Sequence, residues 1–199
     1  WVQKLDRDIH LTKSMNLKHI WCREGCKMFD KEYSFRGRHA ERVNKLTAKF
    51  GDTTSLFERN FDVYIMAPIV GFLYGRRADL DKTNNETTKI FTDILMREKP
   101  NLMFNYRLIM LLDKNNEPDL DKRIDKAFRL YEKEESKPDE ELFEQYVRGG
   151  VDVLYEKLIE NATTPEEYIK NLYDFMEEFD DRYNVSAEGI ADLCRLARN

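Results

Sequence analysis

Cysteine, histidine, glycine and proline are all scarce in this chain of 199 residues, which has three Cys, three His, eight Gly and five Pro. Three cysteines are too few, and odd in number, for a disulfide framework, so the fold must rest on an apolar core. A reducing compartment, the cytoplasm, is the expected location. The low Gly and Pro content leaves little to interrupt helices and excludes low-complexity disorder. All three histidines, His10, His19 and His39, come before residue 40, so any Ser–His or Cys–His catalytic pair would need the N-terminal segment. Phosphate-binding Gly loops, nucleophile elbows, zinc-protease helices and kinase signatures are all missing. Long apolar runs are missing too. The nearest to one, Phe61 to Tyr74, contains Asp62 and is followed by Arg76 and Arg77, short of the roughly 18 to 20 apolar residues a bilayer span requires. No membrane association is therefore expected.

Hydrophobic residues make up 41% of the chain and charged residues 36%, the balance of a helical protein with a strongly solvated exterior. The apolar spacing is helical nearly throughout. Leu120, Ile124, Ala127, Phe128 and Tyr131 share one helix face, as do Tyr168, Leu172, Phe175, Met176 and Phe179. The second of these helices is announced by Thr164, Pro165 and Glu167 as N-cap, first-turn proline and capping-box acid. A helix from about Asp139 to Ile159 follows Pro138 and carries Phe143, Val147, Gly150, Leu154 and Leu158 inward. Gly149 and Gly150 interrupt it; at about 1 kcal/mol each against Ala they mark a kink or, the favoured reading, a place where another helix backbone packs very close. Earlier in the chain, Ser55 and Glu58 read as a capping box for a helix bent at Pro68. A further helix is expected over Asn85 to Arg97, with Pro100 breaking the chain before Leu102 to Leu112. A C-terminal helix would place Ile190, Leu193, Cys194 and Ala197 on one face, with the thiol in the core. No alternating pattern bounded by turns predicts a sheet.

The expected fold is all-α: a single multi-helix domain in which two central apolar helices, about 55–75 and 101–113, are surrounded by amphipathic ones. A basic and helical segment, 1–34, would precede a helical domain over 35–199.

Charge is unevenly spread. Residues 1–50 hold twelve Lys and Arg against six Asp and Glu, a net of +6, whereas the remainder holds 21 against 32, a net of −11. Arg36, Arg38, Arg42, Lys45 and Lys49, interleaved with Tyr33, Phe35 and Phe50, are cations that can meet phosphates while the aromatic rings stack on bases. The same cations can dock on the chain's own acidic helices or on an acidic partner. A pI near 5.4 argues against a general nucleic-acid binder.

Other candidate sites are weaker. His19, Cys22 and Cys26 would share a helix face, but they lack a fourth zinc ligand unless His10, His39 or a partner supplies it. The acidic turns at Asp79, Asp81 and Thr83 and at Asp113, Asn115 and Glu117 lack the glycine and terminal Glu of a calcium loop. No metal or cofactor is therefore expected. A polar patch at Tyr74, Arg76, Arg77, Asp79 and Asp81, near Tyr106 and Arg107, is the one place where an enzyme site would fit.

These observations favour a helical interaction or scaffold subunit with a protein partner. The alternatives, in order, are a nucleic-acid-associated protein using its basic N-terminal quarter and an enzyme acting near Arg76–Asp81.

Overall fold

Six helices organise the described residues of this chain, 28–50, 54–131 and 133–183, as given by a computed structural model. The helices are α1 (Arg38–Leu46), α2 (Asn60–Leu73), α3 (Thr92–Leu112), α4 (Leu120–Phe128), α5 (Lys137–Leu158) and α6 (Pro165–Tyr183). Strands are few and short among the described residues. β1 (Tyr33–Arg36) joins β4 (Thr87–Ile90) in one two-stranded ribbon, and β2 (Lys49–Phe50) joins β3 (Thr54–Ser55) in an antiparallel one, with Lys49 opposite Ser55. The protein is all-α in class. No helix among the described residues is long and apolar enough to cross a membrane.

The chain divides into two compact units. The described part of the first comprises 28–34, 89–131 and 133–145, and that of the second comprises 35–50, 54–88 and 146–183. Leu95, Leu102, Tyr106 and Ile109 of α3 and Ala127 of α4 are buried in the first unit. Phe143 meets Phe29 and Tyr106 there, at 5.8 Å in each case. The second unit buries Ala40, Val43 and Leu46 of α1, Val63, Tyr64, Ala67 and Val70 of α2, and Val147, Val151, Leu154 and Leu158 of α5.

In the second unit, α2 and the latter part of α5 approach at backbone distance. A Cβ built on Gly71 would stand 2.9 Å from the Gly150 nitrogen, and one on Gly150 would stand 2.9 Å from Ala67 Cα. The glycine pair therefore marks close packing, as its placement in mid-helix implies, and α5 runs unbroken through it.

Several boundaries differ from expectation. α2 starts at Asn60 because Asp62 accepts the Arg59 backbone N–H at 2.9 Å and also binds its guanidinium; Ser55 is instead in β3. Residues 87–90 form β4, and α3 then runs from Thr92 straight through Pro100. Proline leaves the carbonyl four residues earlier without its helical partner. That residue is Met96, itself exposed, so water can serve its carbonyl. Nor is α3 apolar and central all round: Phe104 is 64% exposed and Leu112 51%, so one side of this helix faces outward. The capping box of α6 forms as expected. Glu167 accepts the Thr164 N–H at 3.1 Å and returns its own N–H to Thr164 Oγ1 at 3.3 Å. The segment 1–27, with His10, His19, Cys22 and Cys26, and the C-terminal stripe bearing Cys194 lie outside the described residues.

Candidate binding cleft

The second unit contains a polar cleft of about 400 Å³ lined by Arg38, Arg76, Arg77, Asp79, Asp81 and Asp152, with Ala78 and Leu80. Its first wall is the start of α1. Gly37 takes a positive φ of 60° and no side chain of its own caps the helix. Asp81 supplies the cap, accepting the Arg38 backbone N–H at 2.8 Å and, in a tight turn, the Thr83 N–H at 2.9 Å. A Cβ on Gly37 would stand 2.9 Å from Asp81 Cβ, so only glycine satisfies both the backbone angle and the approach of that carboxylate. Backbone donation from Arg38, then from Thr83, lowers the Asp81 carboxyl to about 2. The site is also a helix N-terminus, which favours a negative charge.

Arg38 and Arg42 stand four residues apart and so share a face of α1. Both reach Asp152 on α5: Arg38 Nη2 lies 3.3 Å from Oδ2, and Arg42 Nη1 contacts Oδ1. The Asp152 side chain is 5% exposed, and an isolated charge at such a depth would be strongly disfavoured. Burial alone would raise its carboxyl. The neighbouring His39 ring and the Arg42 guanidinium outweigh burial and hold the carboxyl below its ordinary value. His39 Nε2, itself buried, lies 3.3 Å from the same Oδ1. One turn further on, Arg42 lies 4.9 Å over the Tyr155 ring, and Lys45 Nζ donates to the Tyr155 hydroxyl at 3.3 Å.

The opposite wall is the loop after α2. Gly75 turns it with a φ of 62°, and the Arg76 N–H returns to the Gly71 carbonyl at 2.8 Å. Gly149 lets this loop lie on α5, since a Cβ there would stand 3.0 Å from Arg77 Cα. Three contacts then fix its course. Arg76 pairs with Glu156 at 2.7 Å, Arg77 donates to the Tyr146 hydroxyl at 2.8 Å and stacks 4.9 Å over its ring, and buried Arg148 donates Nε to the Ala78 carbonyl at 2.8 Å.

Two groups of residues far apart in the sequence are thus brought together. Arg38 and Arg42 of the basic segment and Arg76, Arg77, Asp79 and Asp81 of the polar patch meet around α5, with Lys45 alongside on Tyr155. Arg36 and Lys49 are exposed and do not line the cleft. Tyr106 and Arg107 sit on α3 in the first unit. There the Tyr106 hydroxyl is buried without a partner, and Arg107 stacks over Phe128 and Tyr131 at 5.6 and 5.1 Å. Sequence reasoning missed Asp152, Tyr146, Tyr155 and Glu156. The available signal was one acid inside the otherwise apolar run Gly149 to Leu154. Among the described residues no group of three or more His, Cys, Asp and Glu side chains could hold a metal ion.

These features define a class: a helical protein whose longest inner helix carries a buried carboxylate clasped by arginines from a second helix. A family model described as DNA sulphur modification system-associated protein 4 matches residues 36–192, and the chain belongs to that family. The match takes in both walls of the cleft. No curated protein and no solved structure matches the chain.

Proposed function

We propose that this chain is an interaction subunit of a DNA sulphur modification system, holding another protein of that system and carrying out no chemistry of its own. The observation that carries this reading is the internal pairing of the basic helix. Arg38 and Arg42 are taken up by Asp152, and Lys45 by Tyr155, so the cations best placed to meet phosphates stabilise the protein itself. A nucleic-acid surface needs those groups free, because phosphate contacts supply most of its affinity. Large apolar side chains, by contrast, stay outward: Phe104 and Met96 on α3, and Tyr173 and Met176 on α6. Exposed apolar side chains gathered on helix faces are what a protein partner buries. The family to which the chain belongs supplies the setting.

The nucleic-acid reading has Arg36 and Lys49 in its favour, both exposed on the basic segment. Titration of the purified chain with labelled duplex and single-stranded DNA, at about 50 mM and about 200 mM salt, separates the two. The interaction reading predicts no saturable binding at either. Micromolar binding at the lower salt that collapses at the higher would mark phosphate contacts and replace this reading with the nucleic-acid one.

A further inference from the structure

The inner face of α6 is carried by Tyr168, Leu172, Phe175 and Phe179. Phe175 is buried and stacks on Tyr74 at 6.4 Å, with an interplanar angle of 18°. A second apolar stripe lies beside it. Ile169, Tyr173 and Met176, spaced by four and three, share one helix face and are 57%, 68% and 61% exposed. Flanking this stripe, and among the described side chains, the exposed acids Glu166, Asp174, Glu177, Asp180 and Asp181, with the capping Glu167, outnumber the exposed base Lys170. Asp174, Glu177 and Asp181 line an open groove of about 550 Å³ together with Glu178, whose carboxylate is already taken by Lys157 Nζ at 2.6 Å and by the Tyr74 hydroxyl at 3.1 Å. Charges of one sign crowded beside three outward apolar residues are not what a fully solvated helix face requires, since mixed signs at i,i+4 spacing would support the helix better.

We infer that this face of α6 docks a basic amphipathic helix from another protein, an inference that rests on the interaction-subunit reading. The partner's apolar side chains cover Ile169, Tyr173 and Met176, while its Lys or Arg side chains reach Asp174, Glu177 and Asp181, in the manner of a helix laid along an apolar surface with a charged rim. An acidic rim calls for a basic occupant, which excludes two others; the chain's own residues 1–27, with six Lys and Arg against three Asp and Glu, are basic as well and are one of the outcomes the test below decides. The chain's own residues 184–199 carry Arg195 and Arg198 against Glu188 and Asp192, a net of zero that leaves the acidic rim unneutralised. A second copy meeting the same face isologously would set acid against acid.

The test uses the full chain, its Ile169→Ser/Tyr173→Ser/Met176→Ser variant, and two 18-residue helical peptides that share a leucine face and differ only in carrying Lys or Glu on the other. The lysine peptide should bind the wild type with a micromolar Kd and the variant at least tenfold more weakly, while the glutamate peptide binds neither. Equal binding of both peptides, or of wild type and variant, would overturn the inference. So would a variant that melts several degrees lower, which would mean that the chain covers this face itself, or a wild-type dimer that the variant dissociates. Affinity isolation from the native cell separates this inference from the reading beneath it. If wild type and variant retain a protein of the modification system equally, α6 is not the contact and the subunit reading stands; if the wild type retains none, both fail.

Discussion

Gly150 on α5 faces the carbonyl of Ala67 on α2 so closely that no side chain fits between the two helices. This contact sets the distance between the helices that carry Asp152 and the arginine loop, so the cleft depends on it. Gly150→Ala should lower stability by about 3 kcal/mol, the upper range for forcing atoms into a packed core, as read by urea unfolding. At Gly75 a Cβ would meet nothing within 4 Å, and only its positive φ of 62° resists substitution. Gly75→Asn, which tolerates that conformation, should therefore change stability little.

Asp152 stabilises the fold by satisfying two guanidinium groups at once. Breaking a buried charge pair from one side typically costs about 3 to 5 kcal/mol, and Arg42→Glu, which turns attraction into repulsion, should fall in that range. Arg36→Glu, at an exposed position outside the cleft, should leave the melting temperature unchanged. If the two variants melt alike, the clasp around Asp152 does not hold the second unit together.

The acid response follows from the same carboxyl groups. Asp152 and Asp81 both titrate below the ordinary Asp range, Asp81 at about 2. A carboxyl depressed in the folded state stabilises it above the unfolded value of about 3.9, and that contribution is lost as pH falls through the folded value. Melting temperature should therefore hold above about pH 4 and fall between about pH 4 and 2. Asp152→Asn should be less stable at neutral pH and fall less steeply across that window. A mutant curve parallel to the wild type would show that Asp152 contributes nothing through its charge.

Tyr106 offers a case of the opposite sign. Its hydroxyl is buried with no hydrogen-bond partner, and burial, then the charges of Asp139 and Glu140, push its ionisation upward. Tyr106→Phe removes an unsatisfied polar group while keeping the ring against Phe143, and should raise stability by about 1 kcal/mol. Loss of stability on this substitution would mean that the hydroxyl is satisfied after all.

Much of this architecture is legible in local chemistry. Thr164, Pro165 and Glu167 announce α6 because a capping box is closed by residues three apart, and Gly149 and Gly150 announce close packing because mid-helix glycines carry a cost that only a neighbouring backbone repays. The start of α2 is less legible: Ser55 and Glu58 fit the capping pattern, but Asp62 competes for Arg59 and wins through a doubled contact with its backbone and guanidinium. The outward side of α3 escapes as well, because Phe104 and Leu112 look like core residues wherever they stand; their exposure is decided by tertiary packing. The cleft was half visible. Arg38 and Arg76 are apparent as charged clusters, but only the fold brings them to Asp152, 114 residues from Arg38 in the chain.

The most direct measurement of the central claim is affinity isolation of the tagged chain from its native cell after nuclease treatment, with co-purifying proteins identified by mass spectrometry. The account predicts that at least one other protein of the DNA sulphur modification system is retained in stoichiometric amount, and stays bound without nucleic acid. Retention that vanishes with nuclease, or a chain that emerges alone, would contradict it.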